Sequence, residues 1–373
     1  MEPLLTVGAL RVTPYSLMVF AGALAGALLA ARKKAARPAL PWVALLALLF
    51  SHVVWCLLND TAMEYYGFSL LFQPWRGGYT LYGALAGGAV GAAIAAALTR
   101  QSWLELLDAL APGAAAALFF ARLGEYFSGQ GVGPTVESEA LCFFPLTFLP
   151  FGETPETGDW VYAVWFWEAV TALVLLAVLL LRRNRRRGDP TFLFLSVLGL
   201  TQIFFEQIRR DDYVSLTGFV RFSQVGALVS ILAVMIALTV MRRPRPLRAV
   251  LSFAVLVCAG LTVMYVEFAL DKTRYFPFLY AATAATAAAA AALLLAARGR
   301  QGRMSAGMTA LAGGILLFSH GLEAPTTDIY IILYGFMAWA LACIGIAVAI
   351  CMQPQPKEGT PVCMQPQPKE GSL

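Results

Sequence analysis

Charge is scarce in this chain: Asp, Glu, Lys and Arg make up 13% of 373 residues, against 59% hydrophobic residues, with mean hydropathy +0.70. No soluble globular protein of this size has that composition, so a water-exposed fold is excluded. Histidine is almost absent. The two that occur, His52 and His320, stand alone in apolar runs and exclude a histidine-built metal centre. Six cysteines are scattered without C-x-x-C or Cys/His spacing, and only Cys142 falls in a loop on the outer side, so neither zinc nor a disulfide framework is supported. No cleavable signal is expected, because the first apolar segment lacks a basic region before it and is followed by positive charge.

Long apolar runs are abundant. Stretches long enough to span a bilayer fall at about 14–31, 40–58, 77–98, 104–124, 160–181, 191–208, 220–241, 249–268, 277–297, 305–320 and 329–350. They predict an all-α polytopic membrane protein with eleven spans. Of the 27 Lys and Arg residues, 19 lie in segments that share one side if the odd-numbered spans run inward. The positive-inside rule then places the N-terminus outside and the C-terminus in the cytoplasm. The net charge of +5 is largely this basic belt, which argues for topology and anionic-lipid contact rather than nucleic-acid binding.

Texture divides the chain. Residues up to about 241 carry ionisable groups inside or at the ends of spans: Asp108, Arg122, Glu125, Glu168, Glu206 and Arg209. An outer head segment at about 125–160 is acidic, with no Lys or Arg between Tyr126 and Asp159. After the basic linker Arg242–Arg248, residues 249–350 are mostly Ala, Leu and Val and read as four appended spans. The tail at 351–373 repeats Cys351–Gly359 as Cys363–Gly371 and is too polar to fold. Glycines at four-residue spacing (Gly22/Gly26 and Gly83/Gly87/Gly91) predict close helix packing. The turn at 77–83 could instead let backbone approach a lipid headgroup.

Arg122 is the most informative residue. A guanidinium cannot be neutralised, is costly in hydrocarbon, and takes phosphate or carboxylate through paired hydrogen bonds. Among phospholipids this points to a headgroup.

Five features, in order, resemble the prolipoprotein diacylglyceryl transferase family over roughly residues 5–241. Tyr15 opens the first span as in the family's Tyr-Gly-Leu segment. Gly77, Gly78, Gly83, Gly87 and Gly88 resemble its Gly-Gly-x-x-x-His-Gly-Gly turn and helix. Asp108, Ala111, Pro112, Arg122, Gly124 and Gly129 keep the spacing from Asp-x-x-Ala-Pro to Gly-Arg-x-Gly-Asn-x-x-Asn-Gly-Glu. Trp167 and Glu168 are similar to a Tyr-Glu ending, and Glu206, Arg209 and Asp212 to Glu-x-x-Arg-x-Pro-Asp; Gln224 also matches. The resemblance implies a seven-helix core that moves a diacylglyceryl group from phosphatidylglycerol to the lipobox cysteine in a prolipoprotein signal peptide. It implies a monomer with no cofactor or metal, Tyr82, Glu168 and Glu206 as catalytic candidates, and Arg122, Arg209, Tyr15, Gly78, Gly83, Glu125, Gln130 and Gln202 around the lipid phosphate.

The departures bear on chemistry. Tyr82 stands where the family has His, Glu125 where it has Asn, Gln130 where it has Glu, Tyr162 and Ala163 where it has His-Pro, and Gln202 where it has Arg. Tyrosine, with a reference pKa near 10, is a poor base at neutral pH. Glu125, three residues from Arg122, can neutralise it on the same helix face; Glu206 and Arg209 can likewise form a structural pair. A cation such as Arg76 or Arg221 is needed to replace the missing Arg. Rival readings are a non-catalytic lipid- or lipoprotein-binding paralogue and a transferase with a different acceptor; a transporter is disfavoured because no repeated halves are visible.

Overall fold

The computed structural model describes residues 4–7, 10–136, 139–182, 186–210, 215–217, 220–297 and 329–352. Among these, ten helices are long and apolar enough to cross a membrane. The eleventh predicted span, 305–320, lies outside the described residues, as do His320 and the repeated tail beyond Met352.

The chain forms two compact units, Met1–Val234 and Met235–Leu373. The first contains α1 (Pro14–Ala31), α2 (Leu40–Leu58), the short α3 (Asp60–Tyr66), α4 (Leu81–Thr99), α5 (Trp103–Ser128), α6 (Val164–Leu181), α7 (Asp189–Ile208) and the start of α8 (Phe222–Arg242). α5 is the hub, packing against α1, α4, α6 and α7. Small residues permit this. A Cβ on Gly26 of α1 would lie 2.6 Å from the carbonyl oxygen of Gly113 on α5, so these backbones touch where any side chain would separate them. Gly83 and Gly91 do the same for α4 on α2, with a Cβ at 2.8 Å from the Phe50 oxygen and 2.6 Å from the Trp42 oxygen.

Asp108 ties α5 to α7. Its carboxylate accepts from the Gly188 N–H (2.6 Å), the Thr191 N–H (3.1 Å) and the Thr191 hydroxyl (2.6 Å), satisfying donors exposed at the start of α7. This boundary carboxylate is thus a helix cap that sets the register of the two helices.

Short strands escaped the sequence reading. β1 (Leu5–Val7) and β2 (Leu10–Val12) form a hairpin before α1; β3 (Val132–Thr135), β4 (Thr147–Phe148) and β5 (Val161–Ala163) form a sheet in the order β3-β5-β4; β6 (Ser215–Thr217) and β7 (Val220–Arg221) form a hairpin before α8. Phe148, Val161 and Ala163 of this sheet form a buried cluster with Trp165 of α6. Tyr126 joins it, its ring 5.3 Å from that of Trp165.

In the second unit α9 (Pro246–Asp271) packs against both α10 (Phe276–Ala296) and α11 (Ile329–Met352). Buried hydroxyls of Thr262 and Thr286 meet at 3.0 Å, and the Cys351 thiol donates to the Ser252 hydroxyl at 3.3 Å. Such polar contacts knit helices in surroundings where apolar packing gives little net drive.

Candidate functional site

Five helices and β7 place polar side chains at one end of the first unit, opposite the connection at 32–37. Tyr15 and Tyr82 come from the first turns of α1 and α4, Glu168 from the second turn of α6, and Arg122 and Glu125 from the last turns of α5. Gln202, Glu206 and Arg209 come from the end of α7, and Arg221 from the residue before α8. α5 continues to Ser128, beyond the predicted apolar stretch, and so keeps Glu125 helical and beside Arg122. The seven charged or amide side chains of this group are 3–8% exposed.

These groups form a closed ring of hydrogen bonds. Arg122 Nη1 donates to Glu125 Oε1 at 2.5 Å, and its Nη2 to Gln202 Oε1 at 2.9 Å, with Glu168 Oε1 3.2 Å from the same nitrogen. Gln202 Nε2 donates onward to Glu206 Oε1 at 2.6 Å. Arg221 donates from Nη1 to Glu206 Oε2 at 3.0 Å and from Nη2 to the Arg209 carbonyl at 2.9 Å. Arg209 Nη1 closes the ring on Glu168 Oε2 at 2.8 Å and Glu125 Oε2 at 3.2 Å. Three guanidinium groups thus face three carboxylates, which is how a buried charge cluster stays tolerable in a medium of low dielectric. The Gln202 amide serves as a two-way link, accepting on one side and donating on the other.

Arg122 and Arg209, from different helices, share the same two carboxylates. Their guanidinium groups therefore face a common space that an anionic oxygen group can enter by exchanging with a carboxylate. A small cleft between α5, α6 and α7 has Leu118, Ala172, Leu175, Val197, Leu198 and Phe205 as walls, Thr171 and Thr201 partway, and Arg122, Glu168 and Gln202 at its polar end. Apolar walls ending on mixed charge suit an amphipathic ligand.

Local structure holds the ring in place. The Arg210 N–H donates to the Val132 carbonyl at 2.8 Å, joining the end of α7 to β3. The Arg221 N–H donates to the Gln224 side chain at 3.1 Å, orienting the residue where β7 meets α8. Gly124 makes room for the Tyr15 ring, since a Cβ there would be 3.1 Å from Tyr15 Cδ2, and Glu125, Arg122 and Arg209 all act electrostatically on Tyr15.

The sequence candidates separate clearly. Tyr15, Arg122, Glu125, Glu168, Gln202, Glu206 and Arg209 gather at the ring, and Tyr82 lies within electrostatic range of Glu206, Arg122 and Glu168. Gly78 and Gly83 serve the α2 side instead. The Gly78 carbonyl is 3.1 Å from His52 Nδ1, and Gly83 abuts the α2 backbone. Gln130 is exposed, and its backbone N–H, rather than its side chain, reaches the Glu125 carbonyl at 3.2 Å. Of the two cations considered as replacements, Arg76 is exposed and stacks over Tyr66 at 4.5 Å, whereas Arg221 enters the ring. Only the hairpin before α8 brings Arg221 there, and two strands of two or three residues leave no periodic signal.

The chain is 28% identical over 159 residues to the phosphatidylglycerol–prolipoprotein diacylglyceryl transferase of Clostridium novyi, covering 42% of this chain and 60% of the relative. To the proteins of that name from Frankia alni and Gloeobacter violaceus it is 29% and 25% identical, covering 64% and 60% of this chain and 65% and 87% of theirs. The chain thus spans about 60% of the Clostridium relative's length. A family model for prolipoprotein diacylglyceryl transferase matches residues 3–242, which takes in every member of the ring, and the chain belongs to that family.

Proposed function

We propose that this protein transfers a diacylglyceryl group from phosphatidylglycerol to the lipobox cysteine of a prolipoprotein, at the non-cytoplasmic face of the bacterial plasma membrane. The observation that carries the reading is the convergence of Arg122 and Arg209 on Glu125 and Glu168, with Arg122 and Glu168 also at the polar end of an apolar cleft. Acyl chains would lie along the cleft walls and the phosphate between the guanidinium groups. Glu168, at the polar end of the cleft, would take the thiol proton. The sulfur then attacks the glycerol carbon that bears the phosphate ester; the C–S bond forms, the C–O bond breaks, and glycerol phosphate leaves with the bonding electron pair, held by Arg122, Arg209 and Arg221.

The reading also assigns residues 1–241 as the catalytic core of a monomer, 249–350 as an appended membrane block and 351–373 as a cytoplasmic tail, with the N-terminus outside. A second reading, a lipid- or lipoprotein-binding protein without turnover, is favoured by one observation: each guanidinium of the ring already has a carboxylate partner.

Purified protein incubated with labelled phosphatidylglycerol and a lipobox peptide decides between them. Lipidated peptide from wild type, lost in Arg122→Ala and Arg209→Ala, supports the transferase. Arg122-dependent lipid binding without lipidated peptide supports the binding protein.

A further inference from the structure

The Tyr82 hydroxyl is buried without a hydrogen-bond partner among the described residues, in a residue 9% exposed. Leaving such a group unsatisfied is costly, so a position that keeps one needs a reason. Packing does not supply it. The Tyr82 ring is pressed against Gly226 of α8, where a Cβ would meet Cδ2 at 2.6 Å and Cδ1 at 2.8 Å; phenylalanine would fill that place equally well.

Tyr82 is also firmly aimed. It sits in the first turn of α4, whose N-cap Thr80 is clamped to α2: the Ser51 hydroxyl donates to the Thr80 carbonyl at 2.7 Å, and the Thr80 N–H approaches the Ser51 hydroxyl at 2.9 Å. The charged groups acting on Tyr82 are Glu206, Arg122 and Glu168, all members of the ring. Each oxygen of the two carboxylates is already engaged, Glu206 by Gln202 and Arg221, Glu168 by Arg122 and Arg209. Among the described residues of this unit, the other partnerless buried donor, Trp165 Nε1, lies instead among the rings of Tyr126, Phe144, Phe148 and Phe166.

From this we infer that the substrate completes Tyr82: its hydroxyl donates to a phosphate oxygen of the bound phospholipid. The inference rests on the transferase reading above and assigns the phenol a role as donor to the leaving group, not as base. As the C–O bond breaks, negative charge grows on the phosphate and the hydrogen bond strengthens, so its effect falls mainly on kcat.

Tyr82→Phe removes one oxygen and keeps the packing. With the empty site it relieves an unsatisfied donor, so the detergent-solubilised variant should melt higher, by about 2–4 °C for a unit of this size. Its turnover should fall about 10- to 100-fold, the range for losing a hydrogen bond to a charged group. Phosphatidylglycerol should also raise the Tm of Tyr82→Phe by less than it raises that of wild type. Stability and activity moving in opposite directions cannot come from a structural role. A lower Tm accompanied by lower activity, or a higher Tm with activity and lipid-induced shift unchanged, overturns the inference. If wild type shows neither transfer nor an Arg122-dependent lipid-induced shift, the functional reading fails instead, and Tyr82 loses its proposed ligand with it.

Discussion

Replacing Glu125 with Gln should make the site bind anionic lipid more tightly. Glu125 bridges Arg122 at 2.5 Å and Arg209 at 3.2 Å, in the space proposed for the phosphate. Unit charges about 4 Å apart interact by about 4 kcal/mol at an effective dielectric of 20. Most of that is offset by the retained amide oxygen, by Glu168, which still bridges both guanidinium groups, and by solvent rearrangement. A residual gain of about 1.4 kcal/mol corresponds to a tenfold lower Kd. The cost appears in folding: breaking a buried ion pair outright costs about 3–5 kcal/mol, and the Gln hydrogen bonds should hold the loss to about 1–2 kcal/mol. Titration of phosphatidylglycerol against phosphatidylcholine in nanodiscs, with a melting curve on the same sample, reads both quantities. A folded Glu125→Gln protein whose affinity for phosphatidylglycerol is unchanged or weaker would refute the idea that this carboxylate competes for the phosphate space.

Other expectations follow from single contacts. Arg221→Gln should lower transfer about 100-fold, and adding Gln202→Arg should restore part of it, because both positions bond the Glu206 carboxylate; lipidation rates of the three proteins check this, and absence of rescue would count against a shared role. Asp108→Asn should lower stability by about 1–2 kcal/mol while sparing the ring, since the carboxylate caps α7 through Gly188 and Thr191; Tm should fall with kcat unchanged in the surviving fraction. Gly26→Leu should disrupt the α1–α5 seam, where a Cβ already meets the Gly113 oxygen at 2.6 Å, and yield of folded protein should drop sharply in size-exclusion profiles.

How much of this was legible from sequence depended on the length scale of each signal. The spans were readable because bilayer thickness demands long apolar runs; α1 and α2 fall at the predicted boundaries, and α5 overruns its apolar stretch only to carry Glu125 on its last turns. The strands were not readable, because segments of two to four residues carry no alternation to detect. Arg122 and Glu168 stood out through the cost of charge in hydrocarbon. The pairing of Arg122 with Glu125, three residues on, was legible as well, whereas the contacts Arg122–Gln202 and Arg209–Glu125 were not, since they join residues 80 and 84 positions apart. Gln130 is exposed, and matching by position does not tell an exposed residue from a buried one. Arg221 shows the converse, a charge delivered to the ring by a hairpin.

The most direct measurement is the product stoichiometry. Wild-type protein, phosphatidylglycerol and a lipobox peptide are mixed, and thioether-linked diacylglyceryl on the cysteine is counted against glycerol phosphate released. The account predicts equal amounts of the two, both abolished when Arg209 is replaced by Ala in a protein that remains folded. Thioether formed at the wild-type rate without Arg209, or lipid consumed without a cysteine adduct, would contradict it.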